Sequence, residues 1–255
     1  MLIELDTLDL ILTLLLMIVA LGISRWQQLG LEGQLFLSAG RALIQLVAVG
    51  YILELVFTLE TVWGVFSVLL VMIIIATTVT RNRISQKLSR LFGLVGVSLL
   101  LTTAITLGYI MLLIVQPPTW YDPQYWIPFA GIIIGNAVNG GTIAGERLVN
   151  ALESNRGEIE THLCLGASPQ RAIALYRRQA IRAGILPNLN QMALVGVVTL
   201  PGILTGQLLG GVSPLNAISY QILVLFSLAL ANLMTTSLIT AGIYRQFFTA
   251  EAQLR

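Results

Sequence analysis

The residue types that ordinarily carry enzyme chemistry are scarce in this chain. The single histidine, His162, and the single cysteine, Cys164, both lie in GEIETHLCLGASPQRAIALYRR, residues 157–178. Imidazole and thiolate are the usual groups of zinc sites and of nucleophilic catalysis. Two residues apart on a helix, they point about 200° away from each other, so they cannot close a shared metal site without further ligands. No H-E-x-x-H occurs, and one histidine cannot supply a two-histidine zinc centre. The single lysine, Lys87, stands in SQKLS and not in G-x-x-x-x-G-K-[ST], so the chain lacks the phosphate-cradling P-loop and is not itself a standard ATPase. One cysteine also excludes an intrachain disulfide. The expectation is a non-enzymatic chain with no metal site and no bound cofactor of its own.

Polar side chains embedded in apolar sequence are the remaining candidates, because such groups are costly in a bilayer and often functional. In IPFAGIIIGNAVNGGTIAGERL, Asn136 and Asn139 sit near the middle, between the G-x-x-x-G pairs Gly131/Gly135 and Gly141/Gly145. Small residues let helices approach and asparagines bridge the contact, so two uses stay open here: helix packing, or the lining of a substrate path. In NLNQMALVGVVTLPGILTGQLLGG, Pro201 removes a backbone donor and Gly202 loosens the same point, so a helix bends or breaks there. Carbonyls freed at Val197 to Thr199, with Thr199, Thr205 and Gln207 nearby, complete the candidate path. Asn232, Thr235 and Thr236 read as packing groups. Arg41, one turn before Gln45, reads as an interfacial anchor, with an ion pair to Glu32 or Glu146 as the sharper alternative.

The elements that must position these residues are membrane helices. Of 255 residues, 56% are apolar and only 10% charged, with a mean hydropathy of +0.85, against about 25% charged in soluble domains. The net charge of +2 is too small to suggest nucleic-acid binding. The N-terminus has Glu4, Asp6 and Asp9 where a signal peptide would be positive, so its apolar run is expected to remain as a helix. Seven segments satisfy the need for roughly 20 apolar residues: about 8–24, 36–57, 61–80, 91–115, 127–146, 189–210 and 219–243. Basic residues gather on the cytoplasmic side. An outer N-terminus and inner C-terminus puts all 14 of them inside or at an inner helix end, and leaves the loop QPPTWYDPQYW, 116–126, with none. Trp120, Tyr121, Tyr125 and Trp126 there suit an interfacial aromatic belt. The fold class is thus all-α and polytopic, one transmembrane domain over 1–255 in the cell (inner) membrane, with a cytoplasmic helix-turn-helix at about 147–188.

That polar passage has its own logic. Leu148, Leu152, Ile159 and Leu163 form an apolar stripe, with Glu153, Arg156, Glu158 and Glu160 largely opposite. Gly166 suits a helix end, Ser168 a cap and Pro169 the first turn of a second helix over about 169–185. The product is a knob able to fit a groove on a soluble partner.

The same residues resemble the E-A-A-x-x-x-G-x9-I-x-L-P motif of ABC-transporter permeases, whose turn docks into the ATPase subunit. Glu160-Thr161-His162, three residues and Gly166 match its first half. Ile185-Leu186-Pro187 comes later than the second half should and lacks the intervening residue. The whole chain resembles the FetB family of ABC permeases through SRWQQLGLE (24–32), RALIQLVAVGYIL (41–53), IIIGNAVN (132–139), LCLGAS (163–168), LPNLNQMALVGVVTLPGILTGQLLGGVSP (186–214) and YQILVLF (220–226).

The resemblance implies a permease working as a homodimer with a cytoplasmic ABC ATPase subunit. That partner would bind the ATP and Mg, and the complex would serve iron or metal homeostasis by export. Glu160, Leu163, Leu165, Gly166, Ala167, Ser168 and Pro169 would then couple to the ATPase. Where other members carry methionines, this chain has Ile134, Val138, Ile203 and Leu204, which removes thioethers suited to soft ions. Hard ions prefer oxygen ligands, yet no carboxylate lies mid-membrane, so a chelate or an organic substrate such as a nucleotide sugar is the alternative cargo. A non-transporting scaffold that recruits a cytoplasmic protein is the alternative from another class.

Overall fold

The computed structural model describes residues 6–59, 61–85, 88, 90–249 and 253; Glu4 and Lys87 lie outside them. Every regular element among these is helical, the sole strand-like feature being an isolated bridge between Val195 and Thr199. The chain forms two compact units, residues 1–60 with 209–211, and residues 61–208 with 212–255.

The first unit contains α1 (Thr7–Trp26) and α2 (Glu32–Leu59). At the start of α1 the Asp9 carboxylate accepts from the Asp6 backbone N–H at 2.9 Å, satisfying one of the orphan donors of a helix N-terminus. The connecting turn uses left-handed backbone at Gln28 (φ 53°) and Gly30 (φ 67°). Buried Ser24 closes it by donating to Glu32 Oε1 at 3.0 Å. Glu32 is thereby engaged locally, and Arg41 is exposed. The apolar window of α2 has no residue buried within the chain, so Phe36, Leu37 and Ile44 face outward all round the helix, as suits a lipid or protein environment.

The second unit is built around two long helices, α5 (Pro123–Ser154) and α10 (Pro214–Phe247). Against them pack α3 (Val62–Ile84), α4 (Leu91–Tyr109, continued as a π-helical segment Ile110–Val115) and α8 (Ala174–Leu194); α6 (Arg156–Cys164), α7 (Pro169–Ala172) and α9 (Gly202–Leu209) are short. Small residues on α5 set the spacing. A Cβ at Gly141 would lie 2.8 Å from Ile239 and 3.0 Å from Thr235 of α10, and one at Gly145 would collide with Ile84 of α3. The G-x-x-x-G pair at 141/145 is therefore a packing seam. Before α5, Asp122 accepts from Gln124 N at 2.9 Å and Pro123 fills the first turn. Trp126 donates its indole N–H to the Trp120 carbonyl at 2.7 Å, and both rings pack on Phe66 of α3.

Among the described residues, five helices are long and apolar enough to cross a membrane: Glu32–Thr58, Val62–Ile84, Leu91–Val115, Pro123–Ser154 and Pro214–Phe247. They coincide with five of the seven expected spans. The apolar stretch of α1, Leu12–Trp26, is shorter. The span expected at 189–210 is not one helix: α8 ends at Leu194, residues 195–201 are irregular, and α9 has only eight residues. Pro201 cannot donate to a carbonyl one turn earlier, and it pushes Leu200 out of the helical region. Gly196, at φ +81°, had already reversed the chain.

Candidate functional site

The expected knob is present, in more pieces than anticipated. After α5, Asn155 interrupts the helix and bonds back to the Ala151 carbonyl through its side chain at 2.8 Å; α6 then restarts from its carbonyl. Leu148, Leu152 and Ile159 are fully buried and Leu163 half-buried, so the predicted apolar stripe faces the protein. At the tip, Gly166 adopts φ +87°. Its N–H donates to the Leu163 carbonyl at 2.9 Å, and that of Ala167 to the His162 carbonyl at 3.0 Å. This pair of bonds is a Schellman closure, which favours glycine at the left-handed position.

Ser168 departs from its expected role. It stands at the N-cap with Pro169 next, but its hydroxyl makes no capping bond; its carbonyl accepts from Arg171 and Ala172 instead. The helix expected over 169–185 is also corrected. One turn, α7, stops at buried Ile173, and α8 starts afresh and runs through Pro187 to Leu194. Packing of Ala180, Gly184 and Asn188 keeps α8 helical past the proline, where local propensity alone would end it.

Side chains brace the knob from below. Glu158 of α6 hydrogen-bonds Tyr176 of α8; desolvation first, then the Glu158 carboxylate, raises the phenol above its ordinary value of 10.0. Arg177 donates to Thr240 Oγ1 and to the Ser237 carbonyl of α10, both at 3.3 Å. Glu160 pairs with Arg156 at 2.9 Å, and His162 approaches Glu158 at 3.9 Å. His162 and Cys164 are both exposed, and no cluster of three metal-ligating residues occurs among the described residues. What the knob presents outward is Leu165, 79% exposed at the tip.

The second constellation is a layer of carboxamides where α5, α8 and α10 meet. Asn188 donates to Asn136 Oδ1 at 3.4 Å, and Asn232 donates to the Gly184 carbonyl at 3.4 Å. Asn188 and Asn232 are each 2% exposed. Gly184 has no room for a side chain: a Cβ there would lie 2.6 Å from the Gly140 carbonyl and 2.8 Å from Thr236. Asn232, read from sequence as packing, proves to bridge helices through its amide. Asn188 and Gly184 were not singled out by sequence reasoning; their signal was the i, i+4 spacing of a small and an amide residue beside Pro187. Asn139 does not join this layer. It is exposed beside an open groove of about 450 Å³ with Met72, Val79 and Arg83.

The residues around the helix break stay apart from both. Leu194 accepts from the backbone N–H groups of Val197, Val198 and Thr199, and the Thr199 carbonyl, expected to be free, accepts from Gly196 at 2.9 Å. Thr205 bonds back to the Pro201 and Leu200 carbonyls. Gly202 begins α9, and the Gln207 side-chain oxygen is buried without a partner among the described residues. No hydrogen bond joins Thr199, Thr205 or Gln207 to Asn136 or Asn139 among the described residues.

The family model described as "Uncharacterised protein family (UPF0014)" matches residues 7–248. The chain is 51% identical over 253 residues, 99% of its length and 98% of the relative's, to the UPF0014 membrane protein slr1647 of Synechocystis. It is 33% identical to the Probable iron export permease protein FetB of Escherichia coli, covering 96% of this chain and 93% of that one. It is 31% identical to the Protein ALUMINUM SENSITIVE 3 of Arabidopsis thaliana, covering 95% and 87%. No solved structure matches. The family read from LCLGAS and the 186–214 block is thus the one recovered over nearly the whole chain: this protein belongs to the UPF0014 family of membrane proteins.

Proposed function

We propose that this chain is the permease subunit of an ABC-type exporter driven by a separate cytoplasmic ATPase, which binds the ATP and Mg. The observation that carries the reading is the knob. A Schellman-closed turn lifts an apolar residue, Leu165, into the open. Tyr176 and Arg177 tie the same element to α6 and α10. A lone exposed leucine is ordinary on a protein surface; the place of this one at the tip of a braced turn is what suits a partner's groove, because such a turn transmits displacement to the helices behind it. Glu160, Leu163, Gly166, Ala167, Ser168 and Pro169 shape this contact, with Leu165 as its apolar point.

In this reading the chain lies in the inner membrane with its N-terminus outside and C-terminus inside. α1 and the α8–break–α9 region complete seven crossings, and two copies assemble with two ATPases. The relative named as an iron export permease points to a cargo in metal homeostasis. The amide layer bears on its chemistry. Asn188 and Asn232 are sealed into helix packing, which leaves Asn136 and Asn139 as the carboxamides open to a cargo. Neutral amides suit a chelated metal or a hydroxyl-rich organic solute better than a bare multivalent cation, which demands anionic oxygen ligands. Asn136 and Asn139 with Thr199, Pro201, Gly202, Thr205 and Gln207 remain the candidate path. The test is ATPase-driven export in proteoliposomes: Leu165→Asp abolishes coupling, whereas flux without any ATPase, or unaltered coupling in the variant, rejects the reading.

A further inference from the structure

Helix α5 has a second face that the amide layer does not use. Gly135, Asn139, Ile143, Glu146 and Asn150 are all exposed, at successive spacings of four, four, three and four residues. The 4-4-3 steps from Gly135 to Glu146 make an 11-residue period, about 3.67 residues per turn, the seam of one helix lying along another with a slight right-handed twist. The stripe borders two open grooves along α5: that of Asn139, about 450 Å³, and one of about 490 Å³ lined by Ile143, Glu146, Arg147 and Asn150.

Two features say what covers it. Asn139 lies within a span of membrane length, and its carboxamide has no hydrogen-bond partner among the described residues. Lipid tails cannot satisfy it, whereas an amide on a facing helix can. Further along, Glu146 and Arg147 are exposed neighbours, and neither forms an ion pair among the described residues. They differ by one residue, about 1.5 Å along the axis. Opposite charges at one height make a surface complementary to itself under a twofold axis parallel to the helices. Glu146 of each copy then meets Arg147 of the other on either side of the axis, Ile143 and Asn150 face their own counterparts on it, and Asn139 lies at the edge of the contact.

We propose that this stripe of α5 is the contact face between two copies of the chain packed with parallel α5 helices. The existence of a second copy rests on the permease reading; the face is new.

The experiment uses the full chain in native membranes, in a Cys164→Ser background, with single substitutions Ile143→Cys, Asn150→Cys and, as an exposed control on α4, Leu101→Cys. Mild oxidation should give a disulfide-linked species of twice the chain mass at 143 and 150, and little at 101. A second readout compares dimer dissociation in detergent. Glu146→Arg or Arg147→Glu alone should weaken the dimer by roughly tenfold or more, and the double exchange should restore it. No doubled species at 143 and 150, equal linking at 101, a product of another mass, or no rescue overturns the proposal. Neither readout uses ATP hydrolysis or transport, so an intact ATPase coupling with no cross-link removes this face and leaves the permease reading standing.

Discussion

Gly140→Ala is the sharpest probe of the three-helix junction. A Cβ at Gly140 would put all three carboxamide heavy atoms of Asn232 within 2.9 Å. Asn232 would have to rotate away, breaking its 3.4 Å bond to the Gly184 carbonyl inside a layer that is 2% exposed. Overpacking costs about 1–3 kcal/mol, and stranding the amide adds about 1–3 kcal/mol. The better helix propensity of alanine returns at most about 1 kcal/mol. The net expectation is a loss of about 1–5 kcal/mol. Gly108→Ala is the internal control, because nothing lies within 4 Å of a Cβ built there on α4; it should be neutral or slightly stabilising. Stability is read as helical ellipticity during unfolding of the purified protein in mixed micelles. Adding Asn232→Ala to Gly140→Ala should recover stability relative to the sum of the single changes, a coupling of about 1 kcal/mol or more. Equal stability of the two glycine variants, or strict additivity in the double variant, would refute the junction as described.

Two further outcomes concern the knob. The Tyr176 phenol titrates higher in the folded protein than its ordinary 10.0, so the folded state holds this proton after the unfolded state has lost it. Stability is then fully present below about pH 10 and falls as pH rises through the folded value; Tyr176→Phe should remove this part of the alkaline loss in pH-dependent unfolding. His162→Ala and Cys164→Ala should leave transport and ATPase coupling near wild type, because both side chains are exposed and hold no shared ligand geometry; loss of a metal-dependent activity in either variant would instead make that side chain a ligand.

The fold was legible where one force dominates. Long apolar runs dictate helices in a bilayer, so α2, α3, α4, α5 and α10 follow from hydropathy, and Gly141 and Gly145 from the closeness they permit. The turn at Leu165–Pro169 was legible because glycine followed by serine and proline has few other uses between helices. The extent of α8 was not. Pro187 locally argues for a helix end, and only the packing of Gly184 and Asn188 against α5 and α10 overrides it. Asn188 escaped notice for the same reason, since its partner Asn136 is 52 residues away. The break before Pro201 was foreseen in kind; its place was set by Gly196, whose left-handed backbone ends α8 several residues earlier.

The most direct measurement co-reconstitutes this chain with its ATPase and compares ATP hydrolysis and export for the native protein and Leu165→Asp. Leu165 is 79% exposed, so the change leaves the packing of the knob intact. Native complexes should hydrolyse ATP in step with export, and the variant should fold but neither bind the ATPase nor export. A variant that binds and exports like the native chain would contradict the coupling role of the knob.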